Sequence, residues 1–329
     1  MTWEDIAARL AFPIHELLSS TSRIGYFYQL TALVFAVGVW VHLRYVSKRT
    51  NRSMVQYLFP SSVWLHRSAI VDYMYFVTNR LLWVFVYGWF LFSSEIFAEG
   101  GRRTLAWLLG PGWGGVTPHW GWALVMTLGV VLAKDFMMWF AHTMFHAVPF
   151  LWEFHKVHHS AEVLNPFTSA RMHPVDEIIT ASLVGIGTGT MFAVLQFALG
   201  PAATEIKLLQ LNVITTLFQL AAFNLRHSQV WLAYPYWLQF ILISPAQHQI
   251  HHSSAARHWD KNMGYIFALW DWMFGTLYNP RAYEKLEFGL DTDETAEFQS
   301  LGALYLRPFA NVLRMARRVV MGRATRTSP

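Results

Sequence analysis

The run IITASLVGIGTGTMFAVLQFAL, residues 178–199, carries no charged side chain over 22 positions. In hydrocarbon every backbone N–H and C=O must be satisfied within the chain, so an apolar segment of about 20 residues is stable there only as a helix. Four further runs have the same character: Ile24–Val46, Leu81–Phe97, Trp120–Ala133 continuing into Phe140, and the shorter, more polar Ile206–Phe223. WLAYPYWLQFILISP at 231–245 holds two prolines and many aromatics and reads as interfacial. Composition agrees, with 54% hydrophobic and 14% charged residues and a mean hydropathy of +0.28; soluble domains carry about 25% charged residues. The expected fold class is an all-α integral membrane protein, with helical hairpins spanning the bilayer and a histidine-rich helical cap on the cytoplasmic side.

Orientation follows from lysine and arginine. Arg44, Lys48, Arg49, Arg52 and Arg67 follow the first run, and Arg307, Arg314, Arg317, Arg318, Arg323 and Arg326 lie in the C-terminal segment. Such clusters stay cytoplasmic. Five crossings would put the N-terminus outside and the C-terminus inside. The first 23 residues lack a basic start and do not read as a signal peptide; Trp3, Ile6, Leu10, Ile14 and Leu17 fall near helical spacing, as in a helix lying on the membrane surface. Gly185 and Gly189 form GxxxG inside an apolar run, which favours close helix packing over a nucleotide loop. No basic stripe interleaved with aromatics points to nucleic acid. With no cysteine, thiolate metal sites, Fe–S clusters and cysteine nucleophiles are excluded.

Eight of the 15 histidines fall into three motifs: His142 and His146 in HTMFH, His155, His158 and His159 in HKVHH, and His248, His251 and His252 in HQIHH. Helical residues three and four apart share a face, so each motif aims its imidazoles at one point. All three motifs fall at one membrane face, and metal binding is the reading this supports. Eight neutral nitrogen ligands exceed one zinc site, whereas two ions could share them with positions left open. Imidazole suits Fe, Zn, Cu and Ni alike, so ligand type leaves the metal open. Asp135 lies on the His142/His146 stripe, within about 40° at 3.6 residues per turn. A charge at that depth is costly and usually functional. It could hold a metal-bound imidazole from behind, or pair with Lys134.

HTMFH, LWEFHKVHHSAEVLNPFTSARMHPVDE and HQIHHSSAARHWDKNMGYIFALWDWMFGTLY together resemble the fatty acid hydroxylase/sterol desaturase superfamily. The pattern is HxxxH, HxxHH, HxxHH and a WDxxFGT-like segment, here WDWMFGT at 270–276, and the resemblance covers roughly residues 120–280. It implies a membrane enzyme with two non-haem iron ions that uses O2 as co-substrate to hydroxylate or desaturate an unactivated C–H of a lipid or sterol. The eight motif histidines carry over as ligands. His227, in FNLRHSQV, resembles a further ligand, and His173, in RMHPVDE, matches a recurrent element that could instead cap the next helix. Trp270 and Asp271 resemble the closing motif; Asp271 could orient an imidazole or cap the turn to Gly275. Asp135 and Asp271 are the candidate catalytic carboxylates, and Asn262 and His258 are candidate neighbours of the centre.

The expected organisation is residues 1–119 as an N-terminal interfacial segment with two spans, 120–280 as the histidine-box core with three spans, and 281–329 as a basic cytoplasmic tail. No haem, flavin or ferredoxin motif is fused to the chain, so electrons would come from a separate donor, a ferredoxin or a cytochrome b5-type protein with its reductase. The expected location is a bacterial inner membrane or an ER-type membrane, with the site on the cytoplasmic face. Hydroxylation is favoured over desaturation by the AEVLNPFTSAR segment. A zinc-dependent membrane hydrolase and a metal transporter are the rivals from other classes; the transporter would need ligands at several depths. Ligating imidazoles must be neutral, so acid should release the metal below about pH 5.5, near one unit under a free imidazole's pKa.

Overall fold

The computed structural model describes residues 2–324 apart from 21, 23, 87, 89–93, 113–119, 201–207 and 291. Among the described residues all regular structure is helical, and β pairing is limited to isolated bridges at Leu242–Phe267 and Ser253–Phe288. Three helical stretches are long and apolar enough to cross a membrane: Tyr26–Val46, Trp120–Ala147 and Pro174–Leu199. We label the principal helices α1 Trp3–Leu10, α2 Phe12–Leu18, α3 Tyr26–Val41, α4 Arg67–Phe85, α5 Ser94–Leu109, α6 Trp120–Ala147, α7 Pro149–His159, α8 Pro174–Leu199, α9 Leu208–Leu220, α10 Pro245–His251, α11 Leu269–Phe274 and α12 Leu301–Ala324.

The membrane bundle is centred on α8, which packs against α5 on one side and α6 on the other, while α9 packs on α6. Small residues permit the approach. A Cβ on Gly189 would stand 2.3 Å from the Ser94 carbonyl oxygen, and one on Gly187 would stand 2.4 Å from Met137 Cγ. The glycines of this run therefore serve helix packing, as expected. Met126 of α6 is buried against Leu199, Phe192 and Leu195 of α8, and Val131 against Phe218, Phe223 and Ile266. Leu124, Val125, Leu128, Leu132 and Phe140 of α6 face outward, as lipid contact requires.

The runs expected as the second and fifth crossings are described only in part. Leu81–Phe97 is divided between α4, which ends at a Val86 cap, and α5, which begins at Ser94; residues 87 and 89–93 of that run lie outside the described set. Before this run, α4 buries Asp72, Asn79 and Arg80, with Asp72 paired to Arg171 at 2.9 Å and Arg80 to Glu16 at 2.9 Å. Of Ile206–Phe223, the described helix covers 13 residues and stops at Ala222, which adopts a left-handed φ of 69°. Residues 231–245 contain no long helix. The N-terminal segment is helical but broken into α1 and α2, with Pro13 in the first turn of α2.

The cap is tied together by Arg171, which is fully buried. It donates to Asp72 Oδ1, Ser160 Oγ, Ser68 Oγ and the carbonyls of Val157 and Phe298. This one side chain fixes the end of α7 against α4 and the C-terminal region. The segment after 280 is likewise part of the cap rather than a detached tail. Leu304 of α12 is buried with Val71, Tyr75, Val157 and Phe298, and Phe309 packs on Phe154 and His173. Helix α3, expected as the first crossing, has a defined neighbour too: its Ala32 and Ala36 pack against Leu58, Ala222, Leu225 and Val230, bracing the loop that carries His227.

Candidate metal centre

Four segments converge at the cap end of α6. His142 and His146 occupy its last turns. Pro149 then opens α7, whose locked φ and missing N–H suit a first turn, and α7 presents His155, His158 and His159. Helix α10 opens with a capping box in which Ser244 and Gln247 satisfy each other's backbone N–H, followed by Pro245, and it presents His248, His251 and His252. His227 ends the 3-10 turn Phe223–His227. Gln249 of α10 places its Nε2 2.9–3.0 Å from the carbonyls of Leu225, Ser228 and Val230, clamping that turn to the helix.

The nine rings sort into two groups: His142, His146, His155, His159 and His251, and His158, His227, His248 and His252. In the first group all five Nε2 atoms are buried without a hydrogen-bond partner. The opposite nitrogens of four rings meet oxygen acceptors: His142 Nδ1 with the Met263 carbonyl at 2.9 Å, His146 with Asp260 at 3.1 Å, His155 with Asp176 at 2.6 Å, and His251 with the Lys261 carbonyl at 2.8 Å. Each acceptor takes the proton on Nδ1 and leaves Nε2 with a lone pair, the form that ligates a metal. In the second group His227 Nε2 lies 3.1, 3.2 and 3.4 Å from the Nε2 atoms of His248, His252 and His158. Tetrahedral ligands about 2.1 Å from one ion stand roughly 3.4 Å apart. Both groups therefore fit a metal ion.

The assignment explains the repeated HxxHH. In α7 the i, i+4 pair His155/His159 serves the first group while His158 turns to the second; in α10 the pair His248/His252 serves the second group while His251 crosses to the first. Each helix thus supplies both groups, which adjoin through His158/His159 and His251/His252. Burial, reinforced by neighbouring rings, holds His155, His159, His248, His251 and His252 well below the ordinary imidazole pKa. The rings stay neutral and ready to ligate.

Two spaces flank the centre. A polar cleft of about 690 Å³ is lined by His146, His159, His251, His252, Trp152 and Asp260, with the Trp152 ring tilted 47° against His146 at 4.9 Å between centroids. A smaller cavity of about 90 Å³ on the helix-bundle side is lined by His142, His155, His158, His227, His248 and Arg226.

The fatty acid hydroxylase family matches residues 127–276, which carry all three motifs. Residues 127–276 belong to that family. The chain is 28% identical over 206 residues to an alkylglycerol monooxygenase of Caenorhabditis elegans, covering 61% of this chain and 37% of that protein. It is 27% identical over 172 residues to the ornithine lipid hydroxylase OlsE of Rhizobium tropici, covering 52% and 47%. The human alkylglycerol monooxygenase is 27% identical over 171 residues, covering 48% and 32%. The chain spans less than half the length of these curated relatives. No solved structure matches it.

Within this fatty acid hydroxylase region the two expected catalytic carboxylates have a different task. Asp135 neither pairs with Lys134 nor reaches an imidazole; it accepts from the backbone N–H of Ile266 at 2.6 Å, that of Phe267 at 3.1 Å, and Trp270 Nε1 at 2.9 Å. Asp271 accepts from the N–H of Met263 and of Gly264, from Thr276 Oγ1 at 2.5 Å and from Trp139 Nε1. A buried carboxylate saturated by such donors is a scaffold anchor. Together they hold loop 260–267, whose Asp260 side chain and Lys261 and Met263 carbonyls orient three of the ligand rings. Gly264 permits the turn, since a Cβ there would lie 2.8 Å from Asp271 Oδ2.

His173 lies outside both groups. Its Nδ1 accepts from the Val175 N–H at 3.1 Å, capping α8, and its Nε2 lies 3.1 Å from the Tyr305 carbonyl, so both nitrogens are committed. His258 is buried between Arg257 and Glu284, also away from the centre. Asn262, at φ 57°, bridges the Gln247 carbonyl to the backbone of Tyr278. Sequence reasoning missed Asp176, Asp260 and Gln249. Asp176 was visible three residues after His173, in the first turn of a helix, but no spacing rule ties it to His155.

Proposed function

We propose that the protein is an O2-dependent hydroxylase of a membrane lipid, with one iron ion in each histidine group. The reading is carried by nine imidazoles in two adjoining groups, seven buried and those of His142 and His146 half-buried, with five Nε2 atoms of the first group left without any protein partner. Bound iron would supply the redox chemistry, in which R–H, O2, two electrons and two protons become R–OH and water. The chain's own part is to keep the rings neutral by burial, to orient them through Asp176, Asp260 and the loop carbonyls, and to keep bulk water from the inner cavity. The names of the relatives, monooxygenase and hydroxylase, support hydroxylation over desaturation.

The polar cleft, with Trp152 against His146 and His159, is the side from which a separate ferredoxin or cytochrome b5-type donor would deliver electrons. The distribution of lysine and arginine supports a cytoplasmic location for this side in a chain that would cross the membrane several times. The test is a lipid comparison in one host between wild type and His158→Ala under 18O2 with a donor supplied. A lipid gaining one labelled oxygen only with wild type supports the proposal; unchanged lipids with both proteins folded in the membrane contradict it.

A further inference from the structure

The inner cavity holds a charge that metal binding does not account for. Arg226, adjacent to His227, is 2% exposed and lines the cavity beside rings of both groups. Its Nη2 donates to the Ile243 carbonyl at 2.9 Å, and its guanidinium lies 4.6–5.8 Å from the ring centroids of Phe218, Phe223 and Tyr265. Its Nε is buried with no hydrogen-bond partner. The other fully buried arginine, Arg171, has Asp72 at 2.9 Å, whereas Arg226 has no carboxylate within ion-pair distance among the described residues. The carboxylates on adjoining helices are spent: Asp176 on His155 and Thr180, Asp135 on loop 266–270.

Asp135 acts on Arg226 only from beyond ion-pair distance; burying a guanidinium with no carboxylate in contact is costly, and its planar fork of donors matches a carboxylate or phosphate. The cavity is small, about 90 Å³, and brings Arg226 and the histidine rings to one space. An anion seated on Arg226 would therefore stand only a few bonds from whatever the ligand rings face. Depth agrees, because His142 and His146 are in the last turns of α6 and Asp176 is in the first turn of α8, at helix ends rather than mid-bundle.

We infer that Arg226 binds an anionic oxygen, carboxylate or phosphate, on the headgroup of the lipid substrate, and so presents a C–H close to that headgroup to the metal centre. This rests on the lipid-hydroxylase reading and narrows its substrate to lipids oxidised near an anionic group. The Ile243 carbonyl and the three rings fix the guanidinium in place; Nε supplies the unspent donor.

The test uses iron-loaded protein in neutral dodecyl maltoside micelles and equilibrium binding of labelled dodecyl phosphate, dodecanol and inorganic phosphate. Wild type should bind dodecyl phosphate about tenfold or more tightly than dodecanol, the worth of a charge-assisted hydrogen bond. Arg226→Gln should erase that preference, and Arg226→Lys should keep part of it. Arg226→Gln retaining the preference at normal iron content would overturn the inference, as would inorganic phosphate competing as well as dodecyl phosphate. Should Arg226→Gln fail to fold, wild type lacking the preference, or Arg226→Lys keeping all of it, would overturn the inference just as well. The product supplies a separate arm. Oxygen placed mid-chain would overturn the inference while leaving the hydroxylase reading intact. Charge preference without any O2-dependent product would reject the reaction and leave the anion site standing.

Discussion

The two histidine groups are made of the same side chain and are held by different means. In the five-ring group four Nδ1 atoms are seated on oxygen acceptors, so ring orientation is set by the fold before any metal arrives. In the four-ring group the Nε2 atoms face one another at 3.1–3.4 Å, and His248 Nδ1 is buried with no partner. That group depends on α10, on the Gln249 clamp and on the ion it would hold. One site is organised from outside by its oxygen acceptors, the other from inside by its ligand.

The largest expected difference comes from deleting one ligand on each side. His248→Ala leaves three rings in its group and should lose that metal equivalent, with product falling to the background of empty membranes. His159→Ala leaves four rings and should retain most of its metal at saturating iron. Metal analysis of the two purified variants checks this; equal losses would erase the distinction between the groups. Next in size is the carboxylate behind His155. Asp176→Asn should weaken metal binding in the five-ring group by roughly 10–100-fold, the usual effect of losing such a partner. Asp260, whose side chain is 71% exposed, should matter less on substitution to Asn. Chelator competition ranks the two.

Scaffold and ligands can be separated in the same way. Asp271→Ala strands several buried donors at about 1–3 kcal/mol each. It should cut the yield of folded protein while the folded fraction keeps its metal, as seen by quantifying iron per folded chain. The smallest effect concerns pH and lies outside both groups. Burial lowers His173 from the ordinary 6.5 to about 4. Its folded form thus binds fewer protons than the unfolded chain below pH 6.5, so its share of stability is full above 6.5 and is lost as pH falls towards 4. Between pH 7 and pH 5 this amounts to about 2 kcal/mol. Thermal unfolding of metal-free protein should therefore decline less steeply over that interval in His173→Asn, which keeps a helix-capping side chain. The depressed ring pKa values in the groups also move acid release of metal below the pH 5.5 expected from free imidazole.

The bundle and the histidine groups were legible because they rest on local periodicity. Apolar runs announced α3, α6 and α8, and i, i+3, i+4 spacing announced all three motifs. What spacing could not supply was partition. That His155 and His159 join one histidine group while His158 joins the other follows from how α7 and α10 approach each other. The carboxylates were misjudged for a related reason: Asp135 shares a stripe with His142 and His146, but loop 260–267 folds back and consumes it. His173 resembled a ligand by motif, while its Nδ1 was already needed by the Val175 N–H. The second expected crossing, Leu81–Phe97, lies partly outside the described residues.

The most direct test of two interleaved metal sites is iron per chain in protein purified from membranes, read together with its Mössbauer spectrum. The account predicts two irons per chain that are magnetically coupled, falling to one in His248→Ala. One metal ion per chain in the wild type, or zinc filling both sites without iron, would contradict it.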